Sequence, residues 1–295
     1  MSARLGPILF ATIACRDLDR SLAAYRSLLG WPICCDGTIS GTLADLWRCP
    51  ALAGARWALL APGETVTGGI RFIEVGAAPP PAPLTTTGWA AAELSCDDLD
   101  GLVAAAPKAG FRVLGAPAPL GSNPAIRAMQ LAGPDGEVLY LTDIRAYAGT
   151  LDLYRAGRTA DRVFIAVLAA TDIEAARGFY EDRYAAPRIS DREVAVPVLR
   201  TAHGLADSVL QRISSLQLAG SCLIECDGYP AAAPPRGMAR GLPLGVAMIT
   251  MAGLAGAAGL EVHDAPYGGA AAMLETGAAG EWLEIVEHAL PAMVP

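Results

Sequence analysis

From Leu9 to Trp31 the chain reads LFATIACRDLDRSLAAYRSLLGW, and the spacing of its apolar positions changes part-way. Phe10–Cys15 is a short, nearly unbroken apolar run, as a buried strand requires. Arg16 and Asp17 interrupt it, and Asp17 is the residue type that caps a helix. Leu18, Leu22, Tyr25, Leu28 and Leu29 then recur at spacings of three and four, which makes one apolar helical face. Gly30 stands where a helix wants a left-handed terminal residue. A strand, a capped helix and a glycine stop make one βα unit. The unit returns at Val163–Pro187, where Asp172, Tyr180 and Pro187 follow Asp17, Tyr25 and Pro32, each pair 155 residues apart. The constant spacing marks an internal duplication.

The rest of the chain divides in the same terms. Module one spans about Ile8–Val75, with apolar stretches at Ile33–Cys35, Leu43–Leu46, Arg56–Leu60 and Ile70–Val75. Alternation in the last stretch puts Ile70, Phe72 and Glu74 on one side. The proline-rich connector Ala77–Pro83 is too poor in donors for a sheet interior. Module two opens at Trp89: strand Ala90–Cys96, a cap at Asp97 or Asp98, an apolar face of Leu99, Leu102, Val103 and Ala106, and a stop at Gly110. It closes through the tight turn Gly133–Gly136 into Glu137–Thr142. Ala146–Asp161 reads as a linker. Module three covers Val163–Cys226; Ile73, Glu74 and Pro83 match Ile224, Glu225 and Pro234 at a spacing of 151. Module four starts near Gly241, and Gly136, Glu137 and Leu139 match Gly280, Glu281 and Leu283 at 144. Gly241–Leu260 has no charged side chain and the length of a membrane span, but Pro243, its glycines and the duplication assign it to a strand followed by a helix. The expected organisation is an N-terminal half, 1–147, a linker, 148–161, and a C-terminal half, 162–295.

Asp17, Leu18, Ser21, Tyr25, Leu29 and Gly30, together with the Gly133–Glu137 turn, resemble the vicinal oxygen chelate superfamily of glyoxalase I, extradiol dioxygenases and bleomycin-resistance proteins. The resemblance implies an α+β fold of four βαβββ modules, in two pseudo-duplicated halves whose curved mixed sheets enclose clefts. It leaves open whether module one pairs with two or with four. It also implies where metal ligands belong: a His or Gln seven residues before the helix-opening Asp, and a Glu on the last strand. Here the first position holds Phe10, Ala91, Ile165 and, aligned through Gly88 and Gly241, Leu244, none of which has a lone pair to offer. The last-strand position holds Glu74, Glu225 and Glu284, with Tyr140 in module two. No metal and no cofactor are therefore expected. Of the three histidines, only His203, in an interior loop of module three, is placed to overhang a cleft.

Composition narrows the partners. The 295 residues carry a net charge of −8 with no cluster of Lys or Arg, which argues against nucleic acid and anionic membrane. Seven cysteines, an odd number, with no cleavable signal pattern before them, fit reduced thiols in a cytoplasm. A cleft floored by Phe10, Ala91, Ile165 and Leu244 suits a small hydrophobic molecule, aromatic or polycyclic, and Trp282 lies on the strand face of Glu284. In such a cleft Glu284, Glu74 or Glu225 could move a proton, with Tyr140 as a hydrogen-bond donor. Two functions follow: a metal-independent isomerase, lyase or cyclase acting on a hydrophobic carbonyl compound, or a binding protein that sequesters one, as drug-resistance members do. Either is compatible with a homodimer.

Overall fold

The computed structural model describes residues 5–120, 123–146, 152–254 and 259–287. Module one contains β1 (Leu5–Cys15), α1 (Leu18–Leu29), β2 (Ile33–Thr38), α2 (Gly41–Leu46), β3 (Arg56–Leu60) and β4 (Gly69–Glu74). Module two contains β5 (Gly88–Cys96), α3 (Leu99–Ala105), β6 (Arg112–Leu120), β7 (Asn123–Ala132) and β8 (Val138–Ile144). Module three contains β9 (Ala160–Ala170), α4 (Ile173–Tyr184), β10 (Arg188–Val194), α5 (Pro197–His203), β11 (Gln211–Leu218) and β12 (Cys222–Gly228). A two-residue ribbon, β13 (Met238–Ala239) with β14 (Leu242–Pro243), leads into β15 (Gly245–Gly253), β16 (Leu260–Val262), β17 (Ala270–Thr276) and β18 (Trp282–Val286).

The helix caps are those the sequence announces. Asp17, Asp98 and Asp172 accept from Arg20 N, Gly101 N and Ala175 N at 3.0, 2.9 and 3.0 Å, so Asp98 rather than Asp97 caps α3. Gly30 ends α1 in the left-handed region at φ 71°. Module four departs from the pattern. The helix expected there falls on 255–258, outside the described residues, and only residues 254–259 separate β15 from β16, too few for a helix of α1's length.

The strands form two curled eight-stranded sheets, ordered β16-β17-β18-β15-β1-β4-β3-β2 and β10-β11-β12-β9-β5-β8-β7-β6. Module one thus pairs with module four, through antiparallel β1 and β15, and module two with module three, through antiparallel β5 and β9. Each sheet takes one module from each half of the sequence. One face of each sheet packs with α1, α3 and α4 into a common core that includes Ile13, Phe72, Trp89, Leu141 and Ile224. The opposite faces carry separate clusters, one around Phe10, Trp47 and Met248, the other around Ala91, Tyr140 and Ile165. We call these the first and second cups. Among the described residues no helix is long and apolar enough to cross a membrane, and β15 absorbs most of the uncharged Gly241–Leu260 stretch.

The repeated landmarks meet in the common core. Tyr25 donates to Glu137 at 2.7 Å and Tyr180 to Glu281 at 2.9 Å, so each α1-type helix is tied to the closing turn of another module. Tyr180→Phe leaves a buried carboxylate oxygen short of its donor. We expect a loss of about 1–3 kcal/mol in denaturant unfolding; a loss below 0.3 kcal/mol would make the tie ornamental.

Candidate functional site

Strand register decides which residues meet at each cup floor. In every module the first strand runs parallel to the last, and the central neighbours are Thr12 with Arg71, Glu93 with Tyr140, Val167 with Glu225 and Thr250 with Glu284. Two sequence expectations change here. Thr12 and Val167 stand 155 apart, so the counterpart of Glu225 is Arg71, not Glu74. Glu74 lies opposite Cys15, on the helix side with Ile70 and Phe72, and accepts from Leu18 N at 3.1 Å at the start of α1. The slip was three residues, and an odd slip reverses the face. Likewise Gly88 lies opposite Ala169 and Gly245 opposite Ala14, which makes Gly245 rather than Gly241 the counterpart of Gly88. The module-four equivalent of Ala91 is therefore Met248. Leu244 is buried in the first cup but precedes the strand.

The first cup is closed by its own side chains. Arg71 and Glu284, 1% and 0% exposed, form an ion pair at 3.2 Å. Arg71 also donates from Nε to Thr12 Oγ1 at 3.0 Å and from Nη1 to the Tyr267 hydroxyl at 2.5 Å, and its guanidinium lies 4.7 Å from the ring centroids of both Phe10 and Trp47. Glu284 accepts from Trp47 Nε1 at 2.6 Å, Thr250 Oγ1 at 2.7 Å and Tyr267 at 2.8 Å. Trp47 descends from the end of α2, so the segment that roofs the cup is latched to its floor. Trp282 shares the strand face of Glu284 but is only partly buried, and its carbonyl accepts from Trp89. Every charged group in this cup is neutralised and hydrogen-bonded.

The second cup has the opposite character. Its floor carries Glu93 from β5, Tyr140 from β8, and Glu225 and Asp227 from β12, with Ala91 and Ile165 between them. Glu93 accepts from the Thr142 hydroxyl at 2.6 Å. Burial and the neighbouring Glu225 push its carboxyl up to about 8. Burial raises Glu225 and Asp227 as well, and no ion pair involving these three acids is found among the described residues. The hydroxyls of Tyr140 and Tyr229, Asp227 Oδ1 and His203 Nε2 are buried without partners. His203 ends α5, the counterpart of α2, and its ring meets Tyr229 edge-on with centroids 4.9 Å apart. Leu199 of α5 is buried in the same cluster, so α5 roofs this cup as α2 roofs the first. Arg236, beside Tyr229, has an unpartnered Nε, and burial pulls its guanidinium down to about 10.

Glyoxalase I from Zea mays superposes with a TM-score of 0.61 over 97% of this chain and 92% of its own, at 15% identity. A proposed dioxygenase from Bacillus subtilis superposes at 0.67 over 99% and 87%, at 12% identity. No protein-family model and no curated protein sequence matches the chain. This is the vicinal oxygen chelate fold. At these identities the likeness is one of fold.

The metal that this fold commonly holds does not suit the residues present. At the two first-strand positions of each cup stand Phe10 with Met248 and Ala91 with Ile165, and at the last-strand positions Arg71 with Glu284 and Tyr140 with Glu225. Neither set offers three convergent donors, and no group of three His, Cys, Asp or Glu poised to hold an ion occurs among the described residues. His263 is exposed beside Glu261 at 3.2 Å, and His288 lies outside the described residues. All seven cysteines are free. Burial pushes the thiols of Cys35 and Cys96 up to about 12, which leaves them unreactive near neutrality.

Sequence reasoning named Glu225, Tyr140, Ala91, Ile165 and His203, and the second cup brings all five together. It missed Glu93, Asp227 and Tyr229. Glu93 had a visible signal: it is a lone charge inside the apolar strand Ala90–Cys96, five residues before the capping Asp98.

Proposed function

We propose that the second cup is the working site of a metal-independent protein that binds a small, largely apolar carbonyl compound and moves a proton on it. The observation that carries this reading is the gathering of unpartnered buried polar groups around uncompensated carboxyls in one cup, while the equivalent groups of the other cup satisfy one another. Buried polar atoms without partners need an explanation, and a ligand supplies one. In its ionised form the Glu93 carboxylate takes a proton from the carbon next to the carbonyl. The C–H electrons form the carbon–carbon double bond of an enolate, and the oxygen gains charge where the free Tyr140 hydroxyl can donate. Return of the proton to a different carbon, or loss of a leaving group, makes this an isomerase or lyase.

The test is deuterium uptake at the α-carbon of phenylacetone in D2O, followed by proton NMR. Many exchanges per chain are expected, with a rate that rises with pH through about 8 as Glu93 ionises. Protection that stops at one molecule per chain would favour sequestration instead.

The same acids make stability depend on pH. Glu93 is raised from 4.5 to about 8 in the folded chain, so between those values the unfolded chain has lost a proton that the folded chain keeps. Stability therefore falls as pH rises across that window. The melting temperature is expected to drop between pH 5 and 8, and to drop less in Glu93→Gln. Equal slopes would remove Glu93 from the effect.

A further inference from the structure

The two cups are related by the duplication, and the first shows what the second lacks. The residues that fill the first cup are Phe10, Arg71 and Trp47; Ile165 and Glu225 are the counterparts of the first two, and the ring that the roofing helix α5 supplies is His203 where the end of α2 supplies Trp47. Met248 corresponds to Ala91, and Thr250 to Glu93. Where the first cup holds a guanidinium paired with Glu284 and sandwiched by two aromatic rings, the second holds smaller side chains and more acid. The groups facing this space are Glu93 from β5, Tyr140 from β8, Glu225 and Asp227 from β12, Tyr229 beyond it, and His203 from α5. Two cations act on them: Arg192, on exposed β10, acts on Glu225, and Arg236, whose Nε is buried, acts on Tyr229. Asp227 and Tyr140, 1% and 6% exposed, each present an atom without a partner.

Resting on the reading that the second cup is the site, we propose that its ligand bears a protonated amine or guanidinium group, which stands among Glu93, Glu225 and Asp227 as Arg71 stands beside Glu284. Such a group donates to the orphaned Asp227 oxygen and lets the neighbouring acids ionise. The tyrosine rings and Ile165 leave the remainder of the ligand an apolar surface. An amino ketone would then be a better substrate than a plain ketone.

The experiment is calorimetric titration at pH 8 and low salt with benzylammonium, benzyl alcohol and benzoate, alongside methyl NMR of Ala91 and Ile165. Benzylammonium is expected to bind at least tenfold more tightly than the other two. Glu225→Gln and Asp227→Asn should each weaken it at least tenfold while keeping the native circular dichroism, because neither acid has an ion-pair partner among the described residues to strand. Glu64→Gln, at an exposed site, should leave its affinity unchanged. Benzyl alcohol binding as tightly as benzylammonium, with shifts at Ala91 and Ile165, would overturn the cation but keep the site. Displacement of benzylammonium by Mg2+ or Zn2+ at stoichiometric concentration would overturn it in favour of a metal. If no probe moves those methyls, the site itself is wrong.

Discussion

Arg71→Met will destabilise the protein by about 3–5 kcal/mol, because it strands a buried carboxylate. Glu284 is fully buried, and the Arg71 guanidinium 3.2 Å away is its ion-pair partner among the described residues. Trp47, Tyr267 and Thr250 continue to donate, but they cannot neutralise the charge. Methionine keeps an unbranched apolar stem to lie beside Phe10 and Trp47, which limits the packing lost. Removing both charges tells the two effects apart. Arg71→Met with Glu284→Gln should recover most of the loss, since replacing a whole buried pair is often close to neutral. Urea unfolding at unchanged slope measures both variants. A single variant within 1 kcal/mol of the parent, or a double variant no better than the single, would contradict this account of the first cup.

Glu93→Gln will lower deuterium uptake by phenylacetone at least a hundredfold, the scale expected when a positioned general base is lost. The amide keeps the shape of the side chain and can still meet the Thr142 hydroxyl. It removes a buried acid facing Glu225, so the melting temperature at pH 8 should hold or rise. Tyr140→Phe, which deletes only the unpartnered hydroxyl, should lower uptake by a smaller factor at unchanged stability. If Glu93→Gln exchanges at the parent rate while Glu284→Gln, still folded, does not, the proton carrier lies in the first cup.

The duplication was legible because it repeats residues with strict local duties: Asp17 and Asp172 cap helices, and Tyr25 and Tyr180 reach buried glutamates. Those duties tolerate no drift, and the 155-residue spacing survives. The last strands were harder to place. Loops of different length precede them, and Ile73-Glu74 imitates Ile224-Glu225 while lying three positions out of register. Alternation did group Glu74 with Ile70 and Phe72, but alternation cannot say which side of a sheet is the core when both sides are apolar. Gly241 and Gly245 posed the same ambiguity, since both have positive φ and precede an apolar run. The pairing of module one with four depends on contacts between segments more than 200 residues apart, which no local pattern encodes. The difference between the cups could not be read without it. Arg71 and Glu284 come from opposite ends of the chain, and only the sheet order shows that they neutralise each other.

Methyl NMR of the alanine, isoleucine and methionine side chains during titration with benzylammonium tests the central claim most directly. Shifts are expected at Ala91 and Ile165, in the second cup, and none at Met248, in the cup that Arg71 fills. Shifts at Met248 with Ala91 and Ile165 unmoved would contradict it.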